Sequence, residues 1–337
     1  MSQDNILEIK DLKVSMMTVN GIIYAVRGVN LTVKQGEVHG IVGESGCGKS
    51  MMVKSILRLH NEKNTEYGGS IQLGGDEVLK KNQTQLTRMR GSEVSMIFQS
   101  PMTSLDPIMK TGNQIAEMLR QKQGLNKSQA KAKVLEMFEK VGITPAEQRY
   151  NQYPYEMSGG LLQRVMIAMA MVTNPKLLIA DEPTTALDVT IQAQIIELMK
   201  EVKETSDVSI IFITHDLGVV AEICDRVSVM YAGKVVEEGS VLEIFDEAGH
   251  PYTRALLESN PRGEDSGERL QTIAGNPPSL YREITGCSFA PRCPYATEQC
   301  FEKEPQAAEL SEGHYAVCHI AAQVKEKSVQ KKGECNR

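Results

Sequence analysis

The chain has 337 residues, of which 41% are hydrophobic and 24% charged, and a formal net charge of −6. That length holds one large domain plus a smaller one, or two domains, and the composition is globular. The acidic balance argues against a dedicated nucleic-acid binder. The opening Met1-Ser2-Gln3-Asp4-Asn5 has no basic n-region and no apolar h-region, which speaks against a signal peptide. The most apolar run, Val165 to Val172, is too short to span a bilayer. A cytosolic chain is expected, with any membrane role exercised through partners.

Segments 6–14 and 22–33 alternate apolar and polar residues, the pattern of half-buried antiparallel strands. Gly36-Glu37 then turns the chain into an apolar strand, Val38–Val42. The next eight residues are Gly43-Glu44-Ser45-Gly46-Cys47-Gly48-Lys49-Ser50, which fit G-x-x-x-x-G-K-[ST], and a helical run follows from Met51 to Leu59. Strand, glycine loop and helix in that order form a phosphate-binding loop. Glycines let consecutive N–H groups curl around an anion, and the helix N-terminus adds partial positive charge. Lys49 reaches the β- and γ-phosphates, and the Ser50 hydroxyl ligates Mg²⁺. Strands are expected at 70–75 and 93–98, the second ending at Gln99. From Thr111 to about Gly142 the pattern is helical, with Ile115, Met118 and Leu119, then Val134, Leu135 and Phe138, at helix spacing; Gly142 and Pro145 mark its end. A second helix is expected from Gly160 to Val172. Leu177-Leu178-Ile179-Ala180 reads as a fully buried parallel strand running into Asp181-Glu182-Pro183. A helix at 190–203 and strands at 208–213, 226–231 and 234–238 complete an α/β core, with a hairpin turn at 231–234. Polar, turn-rich residues 259–270 read as a linker, and the charged stretch after 323 as a frayed end.

Several side chains stand where chemistry on a bound phosphate needs them. In a P-loop protein a carboxylate ending a buried strand, here Asp181, holds Mg²⁺. Glu182, next to it, is placed to act as general base on water. The Gln99 amide can reach metal or water, and His215, after the apolar run 210–213, can contact the γ-phosphate. Each has a plainer reading when taken singly: a surface acidic pair, a loop glutamine, a structural histidine.

Their joint order changes this. Gly43–Ser50, Gln99, Met157-Ser158-Gly159-Gly160, Leu178-Ile179-Ala180-Asp181-Glu182-Pro183, Ala186-Leu187-Asp188 and Thr214-His215-Asp216 resemble the Walker A, Q-loop, signature, Walker B, D-loop and switch-histidine series of ABC transporter ATP-binding subunits. The resemblance covers about residues 6–250. It implies a P-loop NTPase core of α/β class with an antiparallel β subdomain and a helical subdomain at about 100–173. It also implies ATP and Mg²⁺ as ligands, the metal held through Ser50, Gln99 and Asp181, with Lys49, Glu182 and His215 catalytic. The family pattern is a head-to-tail dimer in which Ser158, Gly159, Gly160 and Asp188 act in trans on the partner's ATP. Two departures stand out. Met157 and Leu161-Leu162 differ from the usual signature, which leaves room for unequal ATP sites. Met16 or Met17 stands where the family often stacks an aromatic residue on adenine, with Tyr24 the nearest ring.

Five of the seven cysteines fall after Gly286. Cys287, Cys293, Cys300 and Cys318 are spaced C-x5-C-x6-C-x17-C. An oxidising compartment is needed for disulfides, zinc favours closer pairs although His314 or His319 could join, and four thiolates can hold an iron–sulfur cluster; plain thiols are the fourth reading. His250–Leu257, Gly286–Pro294 and Gln99–Pro107 resemble the oligopeptide/dipeptide (and nickel) branch of importers, and that resemblance implies a [4Fe–4S] cluster on the four cysteines. Cys335 is expected to be free, and Cys47 to be open to oxidation. The expected division is a cassette at 1–258, a small cysteine-containing C-terminal module at 259–323 and a flexible tail at 324–337. The implied function is the ATPase subunit of a di- and oligopeptide importer. Its partners would be a related ATPase subunit, two integral membrane permease subunits docking on the insert around 100–155 and, indirectly, an extracytoplasmic peptide-binding protein, at the cytoplasmic face of the membrane. The alternatives are a nickel or other small-solute importer, a soluble ABC-type ATPase acting on ribosomes or DNA, and an iron–sulfur electron carrier with an incidental nucleotide site.

Overall fold

The computed structural model describes residues 5–185, 187–259 and 272–335. Twelve strands are present among them: β1 Asn5–Thr18, β2 Gly21–Lys34, β3 Val38–Val42, β4 Thr65–Leu73, β5 Asp76–Glu77, β6 Val94–Ile97, β7 Leu177–Asp181, β8 Ser209–Ile213, β9 Arg226–Tyr231, β10 Lys234–Ser240, β11 Ala307–Ser311 and β12 His314–Val317. No helix among the described residues is long and apolar enough to cross a membrane. The chain folds into two compact units, each built from separate stretches of sequence.

The first unit takes residues 1–6, 33–38 and 80–213. Its sheet is parallel, β6 pairing with β7 and β7 with β8. Every residue of β7 and β8 is buried, which is why both read as unbroken apolar runs instead of alternating ones. Helix Gly159–Met171 turns Leu162, Val165, Met166, Ile167 and Ala168 inward, and helix Val189–Thr205 buries Ile195, Ile196, Leu198 and Met199. The single helical stretch expected across 111–142 is two helices, Thr111–Gln123 and Lys127–Lys140. The first ends on Gly124 at φ 67, a left-handed cap. The second starts on Asn126, whose side chain accepts from the Gln129 N–H while the Gln129 side chain accepts from the Asn126 N–H. Ile115, Leu119, Val134 and Phe138 are fully buried, so each helix carries its own apolar residues at helix spacing.

The second unit takes residues 7–32, 39–79 and 214–337. Strands in the order β2-β1-β4-β5 make its antiparallel sheet. They run longer than the alternating segments read from sequence, and β1 carries an irregularity between Lys10 and Lys13, where Asp11 has φ 45. Its other strands lie in the order β11-β12-β10-β9-β3, with β3 parallel to β9 and β9–β10 a hairpin turning through Ala232 and Gly233. The C-terminal stretch is not a body apart. β12 extends the sheet by pairing antiparallel with β10, Glu237 opposite Ala316 and Glu238 opposite Tyr315. Phe289 enters a core of Tyr231, Tyr252, Val229 and Leu257. The end expected to fray is helical from Ala321 to Cys335. Val324 is buried there, the Ser328 hydroxyl donates to Ala248 O at 2.9 Å, and Lys325 pairs with Glu247 at 2.7 Å. The linker expected at 259–270 lies, after Ser259, outside the described residues.

Candidate functional site

In the second unit the glycine loop is closed by backbone contacts that exclude side chains. Gly43 has φ 150 and Gly48 φ 105; a Cβ on them would stand 2.2 Å from Met230 O and 2.4 Å from Ala25 O. Both positions therefore demand glycine. Gly48 is also the N-cap of helix Lys49–Ile56 and offers no side-chain cap, which puts a helix N-terminus, the end that favours an anion, at the loop. Lys49 is buried, its ammonium donating to Gly43 O at 2.7 Å and Glu44 O at 3.1 Å. This holds one positive charge inside the loop. Ser45 and Gly46 are exposed at the rim and Ser50 is half-buried. Cys47 is buried and burial pushes its thiol up, against the pull of Lys49. The oxidation sensitivity expected of Cys47 is opposed by both properties, since the thiolate is the reactive form. His215 is exposed in the same unit, just before helix Leu217–Ile223, which Asp216 caps by accepting from the Gly218 N–H at 2.8 Å. Met17 is exposed, and Met16 and Tyr24 are half-buried.

Two further side chains touch this loop, and a third, Arg27, bonds the carbonyl beside Gly233, whose N–H donates to Cys47 O at 2.8 Å; sequence reasoning gave them no role there. The Tyr252 hydroxyl accepts from the Glu44 N–H at 2.8 Å. Arg292 forms a two-pronged ion pair with the Glu44 carboxylate, at 2.7 and 2.9 Å. Arg27 donates to Ala232 O at 3.1 Å and to the Ser288 hydroxyl at 3.0 Å. The only local signals were the motifs around them, His250-Pro251-Tyr252 and Ala290-Pro291-Arg292-Cys293.

In the first unit, the parallel register of β6 and β7 brings two predicted residues together. Ile97 pairs with Ala180, so Gln99 and Glu182, each two residues beyond, come level past the strand ends. The Gln99 amide donates to Glu182 Oε2 at 2.8 Å and the Thr185 hydroxyl to the same oxygen at 3.0 Å. Glu182 has φ 49, and its N–H is held by Ile213 O at 3.0 Å. A left-handed backbone costs a residue other than glycine roughly 1–2 kcal/mol, so Glu182 is aimed at some local expense. Asp181, at the end of β7, is buried. Ser158 and Gly159 are exposed at the start of helix Gly159–Met171, the Ser158 hydroxyl accepting from the Leu161 N–H at 3.4 Å. Leu162 and Met157 turn into the core, so these departures from the usual signature leave the Ser-Gly-Gly face as it is. Asp188 is exposed, and its carboxylate caps its own helix by accepting from the Ile191 N–H at 2.9 Å. Ala186 lies outside the described residues.

Cys287, Cys293, Cys300 and Cys318 are half-buried free thiols. Burial pushes up Cys287, Cys293 and Cys318, the last to about 11, and their mutual repulsion adds to it, Cys318 feeling Cys287, Cys293 and Cys300. The Cys287 N–H bonds Cys300 O at 2.7 Å. Among the described residues no three His, Cys, Asp or Glu side chains stand at metal-holding distances. The histidines considered for zinc are engaged elsewhere: His314 bonds Glu237 at 2.8 Å, both fully buried, and His319 bonds Lys303 O at 3.0 Å.

Residues 26–185 match the ABC transporter family, and residues 236–300 match the family described as the oligopeptide/dipeptide transporter C-terminal region. The oligopeptide transport ATP-binding protein OppD of Bacillus subtilis is 51% identical over 312 residues, 92% of this chain and 87% of that protein. The OppD of Salmonella typhimurium is 47% identical over 313 residues, 93% of each chain. Among solved structures, the dimeric post-hydrolysis state of the ATP-binding cassette MJ0796 bound to ADP and Pi superposes with a TM-score of 0.63 at 28% identity, over 70% of this chain and 98% of that one.

Proposed function

This chain belongs to the ABC transporter family of ATP-binding proteins, and on that footing we propose that it is the ATP-hydrolysing subunit of a di- and oligopeptide importer. It works at the cytoplasmic face of the membrane through two integral permease subunits, which dock on the helical insert at about 100–155. A binding protein on the far side delivers the peptide. The peptide assignment rests on the near full-length identity to proteins named for oligopeptide transport and on the match of residues 236–300. The hydrolytic assignment is carried by Glu182, a carboxylate held by Gln99 and Thr185 beyond a buried strand.

Each side chain has a defined task in this reading. The loop Gly43–Ser50 binds the phosphates through its backbone N–H groups, and the Lys49 ammonium stabilises charge developing on them. Ser50, Asp181 and Gln99 are the side chains that would hold Mg²⁺, which would supply further neutralisation of that charge. Glu182 Oε2 accepts the proton of the attacking water, and Gln99 and Thr185 orient that oxygen. His215 reads the γ-phosphate. Ser158, Gly159 and Gly160, with Asp188, serve the ATP of a second subunit, a related ATPase, since a Ser-Gly-Gly at a helix N-terminus is an anion site of its own. The exposure of Ser158, Gly159 and Asp188 supports that role. Cys287, Cys293, Cys300 and Cys318 would hold a [4Fe–4S] cluster as a staple for a loop-rich segment, a reading supported by the resemblance of Gly286–Pro294 to this importer branch and by four half-buried free thiols.

Two measurements test this. Glu182→Gln binds ATP but hydrolyses it about 10²–10⁴-fold more slowly, the usual worth of a general base; turnover near the native rate would remove Glu182 from that role. Anaerobic purification of the native complex yields membrane subunits and a brown chain with about four irons. Recovery with ribosomes or DNA would favour a soluble ATPase, and a colourless, iron-free chain would rule out the cluster.

A further inference from the structure

Arg292 commits its whole guanidinium to partners within the fold. Its side chain is 5% exposed. A guanidinium has five N–H donors in a fixed fork, and the five contacts here account for all of them. Nη1 donates to Glu44 Oε2 at 2.7 Å and to the Tyr231 hydroxyl at 3.2 Å, and Nη2 to Glu44 Oε1 at 2.9 Å and Ile273 O at 3.2 Å. Nε donates to Ala274 O at 2.9 Å. Rings border the fork as well, the Arg292 guanidinium lying 5.8 Å from the Tyr231 centroid and 5.9 Å from that of Phe289. Three residues earlier, Phe289 is 1% exposed and lies edge-on to Tyr231 at 5.3 Å and against Tyr252 at 5.4 Å. Phe289 leads directly into the short 3₁₀ turn Ala290–Arg292, which ends on Arg292.

What Arg292 holds is an x position of the phosphate loop. Glu44 has its N–H on the Tyr252 hydroxyl and both carboxylate oxygens on Arg292. A carboxylate on a loop that receives a polyanion is a liability: at a few ångströms, unpaired, it repels the phosphates. Bidentate pairing with arginine neutralises it locally and fixes its direction. We propose that Arg292 is a positioning residue for the phosphate loop. It neutralises and orients Glu44, so that the segment between Cys287 and Cys293 sets nucleotide affinity from outside the loop. This rests on the reading of Gly43–Ser50 as the ATP phosphate loop.

The test is ATP affinity with Mg²⁺, by calorimetry, in the full chain and in R292Q, R292K, R292Q/E44Q and R292K/E44Q, each checked by thermal melting. R292Q weakens binding about tenfold, equivalent to about 1.4 kcal/mol. R292K, which keeps the charge but loses the fork, weakens it about threefold. Removing the stranded charge in R292Q/E44Q restores binding to within about threefold of the native chain, because the two sites are coupled. A merely structural role for Arg292 gives no such rescue. The proposal fails if R292Q binds ATP as the native chain does, or if the loss is the same with Glu44 and with Gln at that position. Where R292Q does not fold, R292K against R292K/E44Q makes the same comparison. A native chain that binds no ATP would instead overturn the reading of the loop itself.

Discussion

His250 shows how one buried side chain ties stability to pH. It is 1% exposed, and its Nδ1 accepts from the Tyr252 N–H at 3.0 Å, capping helix Pro251–Glu258 in the manner of a serine or asparagine. Burial pushes its pKa down from 6.5 to about 3, so the folded ring stays neutral. Between those values the unfolded chain binds a proton that the folded chain refuses. Stability therefore falls as pH drops below about 6.5, by about 1.4 kcal/mol per unit, until the folded ring itself protonates near 3. His250→Asn keeps a capping oxygen and removes the titration. Its melting temperature, whatever its value at neutral pH, should depend less steeply on pH between 7 and 4 than that of the native chain. Equal slopes would mean that the His250 proton is not what the acid side reports. Glu182, at φ 49, is the residue-scale counterpart at the reaction centre: a backbone held out of its easy range by Ile213 O on one side and Gln99 on the other.

Among the helices, capping decides where periodicity cannot. The break between Thr111–Gln123 and Lys127–Lys140 depends on Gly124 and on the reciprocal bonds of Asn126 and Gln129. Asn126→Ala removes the cap and should cost about 1 kcal/mol in urea unfolding, with no change in the denaturant slope; an unchanged midpoint would show that tertiary packing alone sets the break. The same pair shows what was legible. The glycine stop and the Asn-x-x-Gln start are both present in the sequence, yet helical apolar spacing on both sides of them hides the break. Strands β7 and β8 were legible because burial on both faces demands continuous apolar residues. Helix Ala321–Cys335 was not, since of its residues with described burial only Ala321 and Val324 are buried hydrophobics. At the site, the motif residues announce themselves by order and spacing. The level meeting of Gln99 and Glu182 follows only from the β6–β7 register, and the Arg292–Glu44 pair joins residues 248 apart with no local sign of it.

At the scale of the molecule, each unit is assembled from distant stretches, and the C-terminal segment is structural to the second. Without it β10 loses its partner β12, the aromatic core of Tyr231 and Tyr252 loses Phe289, and Glu44 loses Arg292. A separately folding appendage predicts the opposite: removing it would leave the melting temperature of the rest unchanged. Removing a buried phenylalanine side chain alone costs about 3–5 kcal/mol, and each kcal/mol moves the midpoint of a large domain by about 2–4 °C. A chain ending at Ser259 should therefore melt at least about 10 °C below the full chain in calorimetry. Phe289→Ala in the full chain should reproduce much of that loss, because it empties the same core without shortening the sheet. If the truncated chain melted as the full one does, the pairing of β12 on β10 and the burial of Phe289 would contribute nothing to the unit, and the late segment would have to be counted a domain in its own right.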